Sequence, residues 1–425
     1  MPYPARLDDL RPHRRRSAGF TDQVGSVSAH ELPEVVPALL EVEAASVGGL
    51  WAVGYIAYEA APAFDPNLVV RSRLPASGLP LVWFGLYETR ILNPAPDESL
   101  GPYSLTPWEA VDRAEDYRRA VAQIRRHIVA GDTYQANYTT RLRAGFRGDP
   151  VAFYHDLAAA QSGGYGTYLD TGRHQIVSAS PELFFDRYPR TTNADELITR
   201  PMKGTAPRGR WQAEDDRRRR DLETSEKDRA ENLIIVDLLR NDLGRVCQFG
   251  SVEVKDLLTI ERYDTVWQLT STITGEVDSR LGLVDVLGAL FPCGSITGAP
   301  KVRTMEIIAD MESTPRGVYT GAIGFVAPGD AAGPRVSFSV GIRTVVIDSE
   351  TGDAEYGVGG GITYDSDPAA EHEEALLKAR ILDYGRSDFS LLETMRWNPV
   401  GGWYWLDRHL ERLEASAGYF GVPLD

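Results

Sequence analysis

The chain has 425 residues, 43% hydrophobic and 25% charged, with a formal net charge of −16; this is enough apolar sequence for a folded core, and too acidic a balance for a main partner made of nucleic acid, which needs a basic footprint. No stretch approaches the ~18 apolar residues of a membrane span, and Arg14, Arg15 and Arg16 lead into no apolar segment of the kind that directs secretion. Two cysteines, Cys247 and Cys293, are too few for a disulfide framework, so the expected setting is a reducing cytoplasm.

Residues 1–110 alternate short apolar runs, such as 50–58 and 81–86, with turn-rich stretches such as 75–80, and read as strands. From Asp112 the period lengthens. Tyr117, Val121, Ile124 and Ile128 recur at helical spacing until Gly131 supplies a stop. Strands are expected at 176–179 and 183–185. The charged run Arg217 to Arg220, preceded by Glu214, Asp215 and Asp216, reads as a solvated segment. A long helix is predicted over about 224–243, with Leu233, Ile234, Val236 and Leu238 on its buried side. Another begins at Pro300, a residue suited to a first helical turn, with Val302, Met305 and Ile308 facing inward. Strands resume at 318–326, 336–346 and 355–358, and a last core helix spans 369–384. Strands and helices without regular alternation predict an α+β fold. Residues 387–425 stand apart, with a strand over 389–397 and a short helix over 407–418.

Asp228 and Glu231 stand three apart on one expected helix, and Glu371 and Glu374 three apart on another, with Lys378 four further on. Such spacings share a helical face. Two helices of this kind offer carboxylates to Mg²⁺, a hard cation held by a few carboxylates plus substrate oxygens and water; the same spacing also describes a surface charge stripe. The loop Pro292-Cys-Gly-Ser-Ile-Thr-Gly-Ala-Pro-Lys301 either presents backbone N–H groups to an anion or is a tight turn with a helix cap; its glycine spacing is not that of a nucleotide P-loop. Lys203 lies in an apolar, glycine-containing segment, where an amine can serve as nucleophile; a loop lysine is the plainer reading. The three glycines Gly359 to Gly361, after a strand, allow close backbone approach to a ligand or form a flexible turn. Glu182 and Gln135 carry no signal by themselves, and the histidines show no metal-ligand spacing.

In order along about residues 115–385, the segments GDTYQANYTTRL, SASPELFF, RPMKGTAPRG, EKDRAENLIIVDLLRNDLGRVC, FPCGSITGAPKVRTMEII, RGVYTGAIGF, VGIRT and GVGGGITYDSDPAAEHEEALLKA resemble the chorismate-binding enzyme family. Its branches include anthranilate synthase component I, aminodeoxychorismate synthase component I, isochorismate synthases and salicylate synthases. The resemblance implies two antiparallel sheets packed together and flanked by helices. It also implies Mg²⁺ on Glu231 and Glu374, supported by Asp228 and Glu371, and substrate contacts from Gln135, Gly204, Thr205, Tyr319, Arg343, Gly359, Gly361 and Lys378. Glu182 matches the general acid that helps expel the C4 hydroxyl of chorismate.

Two positions sort the branches. Gln135 stands where water-adding members carry a lysine, and Lys203 stands where anthranilate synthases usually have alanine. The lysine resembles the branch in which an amine attacks C2, so that nitrogen ends at C4. The implied product is 4-amino-4-deoxychorismate, the precursor of p-aminobenzoate and folate, with anthranilate formation and a non-catalytic chorismate-binding subunit as rivals. Ammonia is expected from a separate glutamine amidotransferase subunit, since neither cysteine sits in a nucleophile-elbow-like setting, or from free ammonia. The implied organisation is a strand-rich part of the core over 1–110, a chorismate-binding catalytic domain over 111–386, and a tail over 387–425. The tail resembles the opening of aminodeoxychorismate lyase, is too short to place that enzyme's cofactor lysine, and is expected to lack lyase activity.

Overall fold

In the computed structural model, which describes residues 3–11, 15–72, 78–95, 100–161, 163–190, 193–263, 266–329, 335–383 and 390–420, strand pairs run antiparallel throughout. Nineteen strands join in one hydrogen-bonded network. They join because long strands change neighbours along their length. Arg16–Ala29 pairs at its start with Ala5–Asp9 and over most of its length with Val82–Leu92. Gln135–Gly148 pairs with Asp353–Ile362 and, at its ends, with Gly298–Ala299 and Tyr103–Leu105. Residues near the N-terminus are woven into this network: Ala5–Asp9 pairs with Tyr165–Asp170, and Trp51–Ile56 with Ala322–Val326.

The apolar pattern explains the helices and where they pack. Tyr117, Val121 and Ile124 are buried along Ala114–Val129 and join Tyr138, Leu142, Tyr356 and Val358 in one core cluster, which also takes Ala375 from the helix Pro368–Ala379. A second cluster packs the helix Glu226–Gly244, through Ile235, Val236, Leu239 and Leu243, against Leu197 and Ile273 of the sheet. The active elements therefore straddle two cores, each supplying one carboxylate-bearing helix.

Several expectations are corrected. The helix at 226–244 buries Val236 as expected but is rotated so that Ile234 and Leu238 are only partly buried. Asn232, Ile235 and Leu239 are buried while Leu233 is 44% exposed, because the unbroken run Leu233-Ile-Ile-Val236 does not fix a face and the hydrogen bonds of Asn232 do. On the helix Lys301–Met311 the buried residues are Thr304, Met305, Ile307 and Ile308, and Val302 faces out. The strand expected over 336–346 is broken into Val336–Val340 and Thr344–Asp348 by a corner at Arg343, whose φ is 52°. The strand expected from 318 begins only at Ala322. The loop 292–301 is mostly buried and bonded within itself, Thr297 N–H donating to Gly294 O at 3.2 Å. Its Lys301 is held by Asp242 at 2.8 Å. In the tail, 390–396 forms no helix or strand, a two-stranded ribbon pairs Trp397–Asn398 with Gly402–Trp403, and Leu406–Phe420 is a helix. Residues 75–77, the final residue of the helix expected over 369–384, and residues 387–389 and 421–425 of the tail lie outside the described residues. Among the described residues no helix is long and apolar enough to cross a membrane.

Candidate active site

Lys203 stands on the strand Met202–Pro207, whose pairing with Val266–Asp278 loses register between Met202 and Thr205. The irregularity falls on Lys203 and Gly204, and Gly204 takes the left-handed φ of 92° that an L side chain rarely adopts. Such a bulge re-aims a side chain out of the ladder. The helix Glu226–Gly244 supports it from behind. Fully buried Asn232 donates from Nδ2 to the carbonyl oxygens of Lys203 (3.4 Å) and Leu269 (3.3 Å) and accepts from the Ser271 hydroxyl (2.7 Å). The neighbouring turn carries Asp228, which packs against the α-carbon of Gly204, and Glu231.

Glu182 lies just ahead of the strand Leu183–Tyr188 and is 4% exposed. Burial pushes its carboxyl up to about 7; a Ser295 hydroxyl, the Lys203 charge and the Met202 amide pull the other way. Its Oε1 is buried without a hydrogen-bond partner, so the group is poised to hold a proton and aim it at something else.

The Lys203 charge is shared. Besides Glu182 it acts on Glu231 and Glu374. Burial raises the pKa of Glu231 against the pull of Lys203 and Lys227, and the charges of Asp228 and Glu371 raise it further. Glu371, 6% exposed, is also raised by burial, and accepts from the Ser366 hydroxyl at 2.6 Å. Glu374 is half-exposed and is held below the usual carboxylate range, chiefly by Lys378, whose Nζ lies 3.0 Å away.

The strand Asp353–Ile362 runs beside this cluster, and its glycines set the clearances. Lys378 Nζ donates to Gly359 O at 2.9 Å, and the α-carbon of Gly360 faces both Glu371 and Lys378. A methyl group on Gly361 would strike the side-chain amide of Gln135, one on Gly359 the Tyr138 carbonyl, and one on Gly357 the ring of Tyr319. Gln135 is 1% exposed and its Oε1 has no partner. Tyr319 is buried, with the Arg141 guanidinium over its ring at 4.9 Å, and desolvation pushes its phenol up to about 12, keeping it a neutral donor.

Lys203, Glu182, Glu231, Glu374, Glu371, Lys378, Gln135 and the glycines thus form one connected group. Two expected residues are engaged elsewhere. Arg343 donates to Gln161, with burial disfavouring its charge, and Thr205 donates to Gln268 at 2.9 Å. Arg343 and Tyr319 both lie within electrostatic reach of the Tyr356 phenol, which links Arg343 to the rest. Among the described residues no three His, Cys, Asp or Glu side chains gather closely enough to make a metal cage. An all-oxygen donor set drawn from two helices nevertheless suits a hard cation that completes its shell with water and substrate. Ser295, Asn232, Ser366 and Lys227 were not among the expected site residues. Ser295 lies in the FPCGSITGAPK segment, and Asn232 and Lys227 flank the acidic pair, but their roles are set by contacts distant in sequence. A cavity of about 590 Å³ opens elsewhere, lined by Asp8, Arg11, Tyr165, Asp186 and Ile323 among others, and includes none of the expected residues. Clustered titratable groups, rather than volume, mark the site.

A relative named aminodeoxychorismate synthase from Streptomyces pristinaespiralis is 44% identical over 265 residues, covering 62% of this chain and 35% of its own. An anthranilate synthase component 1 from Streptomyces coelicolor is 41% identical over 277 residues, covering 65% and 52%. Another from Methanothermobacter marburgensis is 36% identical over 358 residues, covering 79% and 74%. The chain therefore spans about a third to a half of the length of the first two. The crystal structure of anthranilate synthase component I from Streptococcus pneumoniae shares the fold, with a TM-score of 0.75 at 24% identity, covering 88% of this chain and 93% of that one. The family described as chorismate binding enzyme matches residues 12–383, from the N-terminal strands to the end of the second carboxylate helix, and the chain belongs to that family.

Proposed function

We propose that this chain converts chorismate and ammonia to 4-amino-4-deoxychorismate, as component I of an aminodeoxychorismate synthase. The observation that carries the proposal is the pairing of a bulged lysine with a buried, protonatable carboxyl: Lys203 lies within electrostatic reach of Glu182, whose pKa stands near 7. In this reading the Lys203 amine bonds to C2 as the ring double bond shifts and the C4–O bond breaks. Glu182 gives its proton to the departing hydroxyl, which leaves as water. Ammonia then bonds to C4, the double bond shifts back, and the lysine amine leaves C2. Anthranilate chemistry needs no such amine. Relatives bearing both names match at similar identity, so the lysine is what favours C4.

Tyr319, with Arg343 behind it, is assigned to the enolpyruvyl carboxylate, Lys378 and the backbone of Gly359 to Gly361 to the rest of the ligand, and Gln135 to a neutral polar contact. Glu231 and Glu374, with Asp228 and Glu371 beside them, would hold Mg²⁺, which supplies positive charge for the ring carboxylate. A glutamine amidotransferase subunit is the proposed ammonia source, and p-aminobenzoate for folate the proposed fate. The test is product identification with chorismate, Mg²⁺ and ammonium. The expected product yields p-aminobenzoate only after a lyase is added, whereas direct release of fluorescent anthranilate would overturn the C4 assignment.

A further inference from the structure

We propose that Tyr419, on the C-terminal helix, is a positioning residue for the strand that presents Lys203. The bulge at Lys203 and Gly204 is not held by ladder hydrogen bonds of its own, so its geometry depends on how firmly the strand is anchored on either side. On the near side Met202 pairs with Thr270 and Asn232 grips the Lys203 carbonyl. On the far side Thr205, Ala206 and Pro207 pair with Gln268, Trp267 and Val266, and beyond the strand's end the anchor is Arg208. Its guanidinium binds Asp215 through Nε and Nη2 at 2.8 and 2.7 Å and donates to Tyr263 O at 2.8 Å. The Asp215 carboxylate also collects the Gly209 amide at 2.7 Å and the Trp267 indole N–H at 2.9 Å.

The tail completes this anchor. Arg208 lies over two rings, Trp267 at 5.0 Å and Tyr419 at 5.1 Å, so the tail supplies one wall of the guanidinium's pocket. The Tyr419 hydroxyl donates to Gly209 O at 2.7 Å, Arg262 donates to Tyr419 O at 3.0 Å, and Ala417 two residues earlier is 4% exposed. A planar cation between aromatic faces and a carboxylate, shielded from water, is held in one orientation. By contrast the tail's ribbon stands in solvent, with Trp397, Trp403 and Trp405 at least half exposed, so the docking is specific to the end of the helix. Removing the Tyr419 ring takes away one wall of the pocket around Arg208 and loosens the strand end, without touching any group assigned to the substrate.

The inference rests on the lysine chemistry proposed above, and its test separates the two. Steady-state kinetics on the full chain, followed by chorismate consumption with ammonium, compare Tyr419→Leu, Tyr419→Phe and the ribbon control Trp403→Leu. Tyr419→Leu is expected to lower kcat about ten- to a hundredfold, as a displacement near 1 Å at a reacting group does, with KM for chorismate within about twofold of wild type. Tyr419→Phe keeps the ring over Arg208 and is expected to recover most of the activity. Amide hydrogen exchange over 202–211 is expected to quicken in Tyr419→Leu alone. Wild-type kcat in Tyr419→Leu, or an equal loss in Trp403→Leu, would overturn the positioning role even if the wild-type product is the C4 amine. A wild-type product aminated at C2 instead overturns the lysine chemistry and this role with it.

Discussion

At the scale of single residues, the proposed acid Glu182 and the proposed nucleophile Lys203 lie within electrostatic reach of each other. Glu182 is deeply buried and titrates near 7 where an ordinary glutamate titrates at 4.5. A proton-donating role therefore predicts that kcat falls as pH rises through about 7 and that this limb disappears in Glu182→Gln, whose kcat drops by about 10²–10⁴-fold; an unaltered limb in the variant would assign it to another group. The same burial has a stability consequence. The folded state binds this proton more tightly than the unfolded chain, so stability falls as pH rises from 4.5 to about 7. Below that window the cost is absent. Above it the cost is full, roughly 3 kcal/mol at about 1.4 kcal/mol per pH unit. Glu182→Gln should thus raise the thermal midpoint at pH 8 and leave it nearly unchanged at pH 4. Lys203→Ala should abolish C4 amination while leaving the fold intact by circular dichroism; retained amination would remove the covalent role.

At the scale of elements, the helix 226–244 shows what was legible in the sequence and what was not. Its existence and both acidic residues follow from spacing, and Ser225 caps it by accepting from Asp228 N–H at 3.3 Å. Which side faces the sheet does not follow, because four consecutive apolar residues satisfy more than one helical face. Burying Asn232 against Leu269 and Ser271 settles the rotation, and those partners lie on a strand distant in sequence. The corner at Arg343 escaped the reading for a related reason: its φ of 52° occurs at a residue with no local turn chemistry. The rotation predicts a clear contrast. Ile235→Ala should cost about 2–5 kcal/mol, while Leu233→Ala, on the solvent side, should stay within about 0.5 kcal/mol. Urea denaturation of the two variants checks this, and equal costs would mean the helix is rotated otherwise.

At the scale of the whole molecule, two cores each bring one carboxylate helix within electrostatic reach of Lys203. Local spacing offered each helix as a stripe of charge; their convergence became legible only through the order of several motifs, since no local pattern encodes the electrostatic coupling of Glu231 to Glu371. Convergence is also incomplete in a telling way. The carboxylates perturb one another, Glu371 raising Glu231 and Glu374 raising Glu371, yet no three of them close a cage among the described residues. Lys378 occupies Glu374 at 3.0 Å. In the proposed reading, a cation held by Glu231 and Glu374 would have too few ligands until a substrate carboxylate adds its oxygens, and the substrate in turn would lack charge compensation until the cation arrives. Binding of the two must then be mutually favourable by the same factor. Calorimetric titration should find Mg²⁺ weak without chorismate and at least about tenfold tighter with it, in keeping with a coupling of 1–3 kcal/mol. Chorismate should tighten by the same factor when Mg²⁺ is present, and Glu231→Gln should erase the coupling while leaving weak chorismate binding behind. Equal Mg²⁺ affinity with and without chorismate would mean that the protein completes the metal's coordination alone, by a rearrangement of these helices, and that the substrate's ring carboxylate is held by something other than the metal.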